Sequence, residues 1–257
     1  VNDDDNLEEF QHPADYDLEE IPRSLERIAF YVDLARRVGG PALELCCGSG
    51  IVALPVAQAG LDVAGVDLAE PMLRHARAKA QAQGLTQRTA WLHADAKQVR
   101  VADAAQRFAF VFISGNAFQA FLTEADQLAV LAAVRHHLRP GGTFCFETRQ
   151  PSGHDLRDVI EEQPWGEFVD SAGRHVTVTG TQRYDAEREL MHWTTWRRWH
   201  EGGQVRGRRT RIACKFTDVP ALDALLRRAG FEVTARYGHW DASPLVPRSE
   251  HVISVCR

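Results

Sequence analysis

The chain has 257 residues, 44% of them apolar and 25% charged, with a net charge of −5. That length buries a full core as one domain, or as one domain with a sizeable insertion. The negative balance speaks against a general nucleic-acid binder, which carries a basic surface. Five cysteines without zinc spacing read as reduced thiols of an intracellular protein. No apolar run reaches the roughly 18 residues of a membrane span. The acidic amino terminus does not read as a secretory signal, so no membrane contact and a cytoplasmic location are expected.

In chain order, Val1 to Glu9 (VNDDDNLEE) has the composition of a disordered segment or mobile lid. Asp15-Tyr16-Asp17 precedes a helical pattern from about Ser24 to Val38. That pattern sets Leu25, Ile28, Ala29, Val32 and Ala35 on one face. Gly39-Gly40-Pro41 ends it.

The next stretch, Ala42 to Leu68, reads ALELCCGSGIVALPVAQAGLDVAGVDL. A short apolar run holding Glu44 leads to a glycine turn at Gly48-Ser49-Gly50. An apolar segment then ends at Gly60, and a second apolar run ends in Asp67. This is the layout of a βαβ unit that holds a nucleoside. The glycines let the backbone turn sharply and approach a ligand, and the following helix offers unpaired N–H groups at its start. Asp67 is placed to accept hydrogen bonds from two ribose hydroxyls. Ala53 stands where a nicotinamide fingerprint wants a third glycine. Glu44 would repel a pyrophosphate but suits a ligand bearing a cation.

The stretch resembles motif I of the class I S-adenosylmethionine-dependent methyltransferases, often written hhELGCGTG, with Cys47 and Ser49 as mild departures. The resemblance implies S-adenosylmethionine as cofactor. It implies Glu44 near the sulfonium and amino end, with Cys46, Gly48 and Ser49 along the turn. It also implies that residues 1–40 form a helical segment folding over cofactor and substrate. Tyr16 is its candidate contact, with an ordinary packing tyrosine as the alternative.

Glu70 to Gln83 is a strong helix former stopped by Gly84. Leu68 and Met72 are expected to flank the adenine. Trp91 to Val99 reads as a third strand ending in Asp95-Ala96, and the resemblance gives Asp95 the adenine amino group. Arg107 to Phe121 supplies a fourth strand that ends in Ser114-Gly115-Asn116 and runs on to Phe118 and Gln119. This is the motif IV place, at the strand's carboxyl end, where such sheets bind ligands. Thr123, with Asp126 three residues on, caps a helix to Leu138. The turn Arg139-Pro140-Gly141-Gly142 and the strand TFCFE follow.

The second half alternates with period two. His175 to Thr179, Glu189 to Trp199 and Thr210 to Phe216 read as strands, joined by hairpin turns at 185–188 and 201–203. They form an expected antiparallel lid of three or four strands. Asp218 to Ala229 is a helix, and Phe231 to Tyr237 and His251 to Cys256 resemble the last two strands. The expected fold is therefore α/β: a Rossmann-like seven-stranded methyltransferase sheet with an antiparallel β insertion as lid. Its parts are a core at 41–150, the lid at 151–216 and a C-terminal part at 217–257.

Methyl transfer from a sulfonium is an in-line displacement in which the protein supplies alignment and excludes water. No general-base motif stands out, and the (N/D)PP(Y/F) signature is replaced by Ser114-Gly115-Asn116-Ala117. The candidate acceptor-handling residues are Tyr16, Asn116, Phe118, Gln119, Glu147, Arg149 and His192. Trp193, Trp196 and Trp199 accompany His192 on a strand with a bulge. Eleven histidines show no metal spacing, so no metal is expected. The basic run RGRRTR (206–211) reads as a solvated strand face or an anion site. The resulting expectation is methyl transfer to a nitrogen or oxygen of a small molecule, such as an amino sugar or natural-product intermediate. An RNA or protein methyltransferase, or a non-catalytic S-adenosylmethionine-binding regulator, is the alternative. A homo-oligomer through the lid is also open.

Overall fold

Largely apolar runs, interrupted by Glu44, form the inner strands of the main sheet, as expected where both faces are covered. The computed structural model describes residues 6–101, 107–150 and 156–257, and Val1 to Asp5 of the acidic start lie outside the described residues. After a 3₁₀ turn at Glu8–Gln11 come helices α1 (Pro13–Glu20) and α2 (Leu25–Val38). Then β1 (Ala42–Leu45), α3 (Ala53–Gln58), β2 (Val63–Asp67), α4 (Glu70–Ala82), β3 (Thr89–His93) and β4 (Phe108–Ile113) alternate. Next are α5 (Glu124–His137) and β5 (Leu138–Arg149). Strands β6 (Val159–Val169), β7 (His175–Asp185), β8 (Leu190–Glu201) and β9 (Gln204–Lys215) follow, then α6 (Val219–Arg228), β10 (Val233–Tyr237) and β11 (His251–Cys256).

The main sheet has seven strands in the order β10-β11-β5-β4-β1-β2-β3, and the second has four in the order β6-β7-β8-β9. In the main sheet β11 runs antiparallel to β5, and β1 lies parallel to β2 and β4. Side chains alternate across it. Val111, Ile113, Phe144 and Phe146 pack with Phe118 and Leu131 on one face. Phe110, Phe112 and Cys145 pack with Tyr31 and Phe30 on the other.

Four details differ from the expectations. β3 ends at His93, so Asp95 lies in the following loop. The turn expected at 139–142 is drawn into β5, where Leu138 pairs with Phe108 and an irregularity follows. β8 carries no bulge: Trp193, Trp196 and Trp199 meet Gln182, Thr179 and Val176 in unbroken register. Trp196 therefore points to the opposite face from Trp193 and Trp199, and the irregularities lie in β6.

The fourth concerns the N-terminal segment, which is bound from residue 6 onward. Asn6 donates to Ala213 O at 3.1 Å and accepts from Ala213 N at 2.8 Å. Glu8 pairs with Arg211, Glu9 with Arg197, and Asp15 with Arg208 at 2.8 Å. Arg208 and Arg211 of the basic run are thus paired with the acidic strap, Arg208 largely buried and Arg211 at the surface. Among the described residues no helix is long and apolar enough to cross a membrane, and no side-chain cluster suits a metal ion.

Candidate active site

The carboxyl ends of β1, β2, β4 and β5 open on a cavity of about 1250 Å³, roofed by the inner face of the lid sheet and by the N-terminal strap. That exceeds the roughly 300–1,000 Å³ usual for a single small-molecule site. Its sheet end is built by the glycine turn. Cys46 and Gly48 adopt positive φ, 58° and 53°, which turns the chain sharply after β1. A Cβ on Gly48 would meet nothing within 4 Å, so this glycine is set by backbone conformation and borders open space.

Asp67 sits beside the turn and accepts from Gly48 N at 2.7 Å and Ala69 N at 2.8 Å. Each bond occupies one carboxylate oxygen and leaves a lone pair on each. Burial pushes the Asp67 carboxyl up, against the pull of those N–H groups. Leu68, Asp95, Ala96, Ser114 and Asn116 also line the cavity. The Asn116 Oδ1 atom is buried with no hydrogen-bond partner.

Ser49 lines the cavity too, but its hydroxyl donates to Asp17 of α1. Asp17 also takes Lys79 of α4 and lies 3.1 Å from His75 Nε2. One buried carboxylate thus ties the strap to the glycine turn and to α4. Tyr16 lines the cavity edge-on to Phe10 at 5.6 Å, and burial pushes its phenol well up.

Two acids form a layer beneath the wall. Glu44 accepts from Ser114 Oγ at 2.6 Å, and burial pushes its carboxyl up to about 8. Glu147 accepts from Gly115 N at 2.6 Å, Asn116 N at 3.2 Å and the Tyr31 hydroxyl. Burial raises it, against the nearby Arg27 guanidinium. Neither lines the cavity; they act on it through Ser114, Gly115 and Asn116.

The roof is the face of β7 and β8 that carries Val178, Gln182, Trp193, Thr195 and Arg197. Arg149 from the end of β5 lies over the Trp193 ring at 5.2 Å. Trp165 of β6 packs against Gly180, where a Cβ would stand 2.1 Å from the indole.

Besides Glu44 and Glu147, four expected residues sit off the cavity wall. Met72 is fully buried on the inner stripe of α4. Phe118 is fully buried, 4.7 Å from the Phe146 ring. Gln119 is spent on the backbone, donating to Lys215 O at 3.1 Å and accepting from Arg149 N at 3.0 Å. His192 faces away from the cavity, because strand alternation gives the inner face to Trp193. Conversely, Arg27, Glu20, Trp165 and His251 line the cavity without having been singled out. The available signal for Arg27 was its four-residue spacing from Arg23 and Tyr31. For His251 it was a polar residue on the buried period of an apolar strand.

Residues 42–142 match a family model described as a methyltransferase domain. The chain is 26% identical over 227 residues to the cypemycin N-terminal methyltransferase of a Streptomyces species, covering 84% of this chain and 82% of that one. It is 32% identical over 129 residues to the ubiquinone biosynthesis O-methyltransferase of Cereibacter sphaeroides, covering 48% of this chain and 47% of that relative. Among solved structures, the CcbJ methyltransferase from Streptomyces caelestis superposes with a TM-score of 0.82 at 23% identity, over 100% of this chain and 99% of that one. The sugar N-methyltransferase KedS8 from a Streptoalloteichus species gives 0.70 at 21%, over 93% and 92%. The matched domain, the relatives and the shared fold together support a class I S-adenosylmethionine-dependent methyltransferase.

Proposed function

We propose that the enzyme methylates a nitrogen of a small molecule, an amino sugar or a natural-product intermediate, held between the lid sheet and the ends of β4 and β5. The observation that carries this is the lid end of the cavity. There the indole rings of Trp165 and Trp193 and the carboxylates of Glu19 and Glu20 line the same cavity. Tryptophan combines a large apolar face with a polar edge, which suits an amphipathic acceptor. Solved neighbours of the same fold include a sugar N-methyltransferase and an amino pentose methyltransferase; that support is by analogy. The cypemycin relative favours a second reading, the amino terminus of a peptide. Both readings place nitrogen at the reacting centre.

The residues at the sheet end fit S-adenosylmethionine. Asp67 keeps two lone pairs for ribose hydroxyls, Asp95 and Leu68 flank the place for the adenine, and Cys46 to Ser49 border the methionine portion. The bound cofactor supplies an electrophilic methyl group. The chain then supplies position and dryness: the strap and lid exclude water, and Glu147 fixes the Gly115-Asn116 turn at the rim. The test is incubation with S-adenosylmethionine and a panel of amino sugars, a peptide with a free amino terminus, and phenols, read by mass spectrometry. A one-methyl gain on nitrogen of the sugars supports the reading. A gain on the phenols alone overturns it.

A further inference from the structure

The amine reading leaves a chemical requirement unmet. An amine with a pKa of about 8 reaches the site mostly as an ammonium, which has no lone pair for attack. A group in the cavity must take that proton, and three acids at the sheet end are poorly suited. Asp67 and Glu147 are bound by backbone N–H groups. Glu44 lies beneath the wall behind Ser114.

His251 meets the requirement. It opens β11, directly across from Arg149 at the end of β5, so the sheet holds it at the rim where the acceptor half of the cavity begins. Its ring lies against Trp240, with centroids 5.0 Å apart and planes tilted by 46°. Its Nδ1 atom is buried with no hydrogen-bond partner among the described residues. A half-buried imidazole on a cavity wall with an unpaired buried nitrogen is costly unless something uses it.

We propose that His251 is the proton acceptor for the acceptor amine. This rests on the amine reading above. The N–H bond of the ammonium breaks with its electron pair left on nitrogen, and the proton joins the His251 imidazole. The imidazolium then passes it to water. The nitrogen lone pair so exposed is the nucleophile.

The surroundings favour a neutral ring ready to accept. Burial lowers the imidazole's pKa, and the guanidinium groups of Arg149 and Arg27 and the nearby His239 lower it further. Glu250, next in the chain, opposes them. The ring is therefore uncharged at neutral pH, and a proton it accepts is quickly lost again. The field of the two arginines also disfavours the ammonium form of the acceptor.

The experiment uses the full chain and its His251→Gln variant, with the amino sugar of the panel that the wild type methylates. S-adenosylhomocysteine affinity serves as the folding control. At pH 7 the variant is expected to lose about 100-fold in kcat, within the usual range for general base catalysis. Above the amine's own pKa that loss is expected to shrink to a few-fold, because the acceptor then arrives already deprotonated. A merely structural role would lower the rate equally at every pH. In a histidine NMR titration of the cofactor-free protein, the resonance missing from the variant is expected to titrate below the ordinary value of about 6.5. A loss independent of pH, no loss at all, or a midpoint at or above the ordinary value overturns the assignment while leaving the amine reading standing. Failure of the wild type to methylate any amine at any pH overturns both.

Discussion

Replacing Arg197 with methionine tests whether the strap is held to the lid by a buried charge cluster. The Arg197 side chain is 6% exposed, between Glu9 at 13% and Glu19 at 10%. It donates to both carboxylates, at 2.9 Å to Glu19, and to Thr210 Oγ1 at 3.1 Å. Methionine fills most of the volume, so the change strands two carboxylates in a water-poor roof with little cavity cost. Breaking a buried pair from one side costs about 3–5 kcal/mol. For a chain of this size that is a fall in Tm of ~6–20 °C, at roughly 2–4 °C per kcal/mol. The control is Arg228→Met, whose partner Glu124 is 61% exposed and whose loss should stay under about 1 kcal/mol. The assays are thermal unfolding and hydrogen exchange across residues 6–20, since the strap can open without the core. Adding Glu9→Gln and Glu19→Gln to Arg197→Met should recover most of the loss. If Arg197→Met leaves both Tm and strap exchange within the range of the control, the cluster does not hold the strap.

Asp67→Asn removes the charge facing the ribose. With two charged hydrogen bonds at about 1.5–3 kcal/mol each, calorimetric affinity for S-adenosylhomocysteine should drop about 100-fold or more; a drop under tenfold refutes the assignment. Glu44 has a folded-state pKa of about 8 against an ordinary 4.5, so the folded protein holds the extra proton between those values and loses stability as pH rises through them. The wild type should therefore weaken relative to Glu44→Gln, by up to about 1.4 kcal/mol per pH unit; a Tm gap unchanged between pH 5.5 and 8.5 rules this out. Phe118→Ala should cost about 3–5 kcal/mol of stability yet leave S-adenosylhomocysteine affinity unchanged below the melt. A selective loss of affinity would return Phe118 to the site.

What the sequence made legible was whatever depends on neighbours along the chain. The continuous runs of β1, β2 and β4 and the glycine turn between the first two needed no tertiary knowledge. Orientation was harder to read. Met72 and Phe118 stand beside the cavity in sequence, yet each turns its side chain into the core. His192 was chosen one residue from Trp193, and a period of two makes one residue the difference between roof and exterior. Arg27 and His251 come together only through β5, whose end brings α2 and β11 to one rim. The acidic strap looked unstructured because its partners, Arg197, Arg208 and Arg211, lie 178 to 203 positions away.

The contact between Trp165 and Gly180 bears on how this lid can drift. An indole 2.1 Å from a would-be Cβ leaves position 180 no room for even alanine while the tryptophan keeps its place. A change at 180 must lift the ring off its sheet and alter the roof of the cavity. A smaller residue at 165 releases that constraint. The two sites are one evolutionary unit: in diverged relatives a side chain at 180 is expected only where 165 has lost its large ring, and with it the present floor-to-roof height.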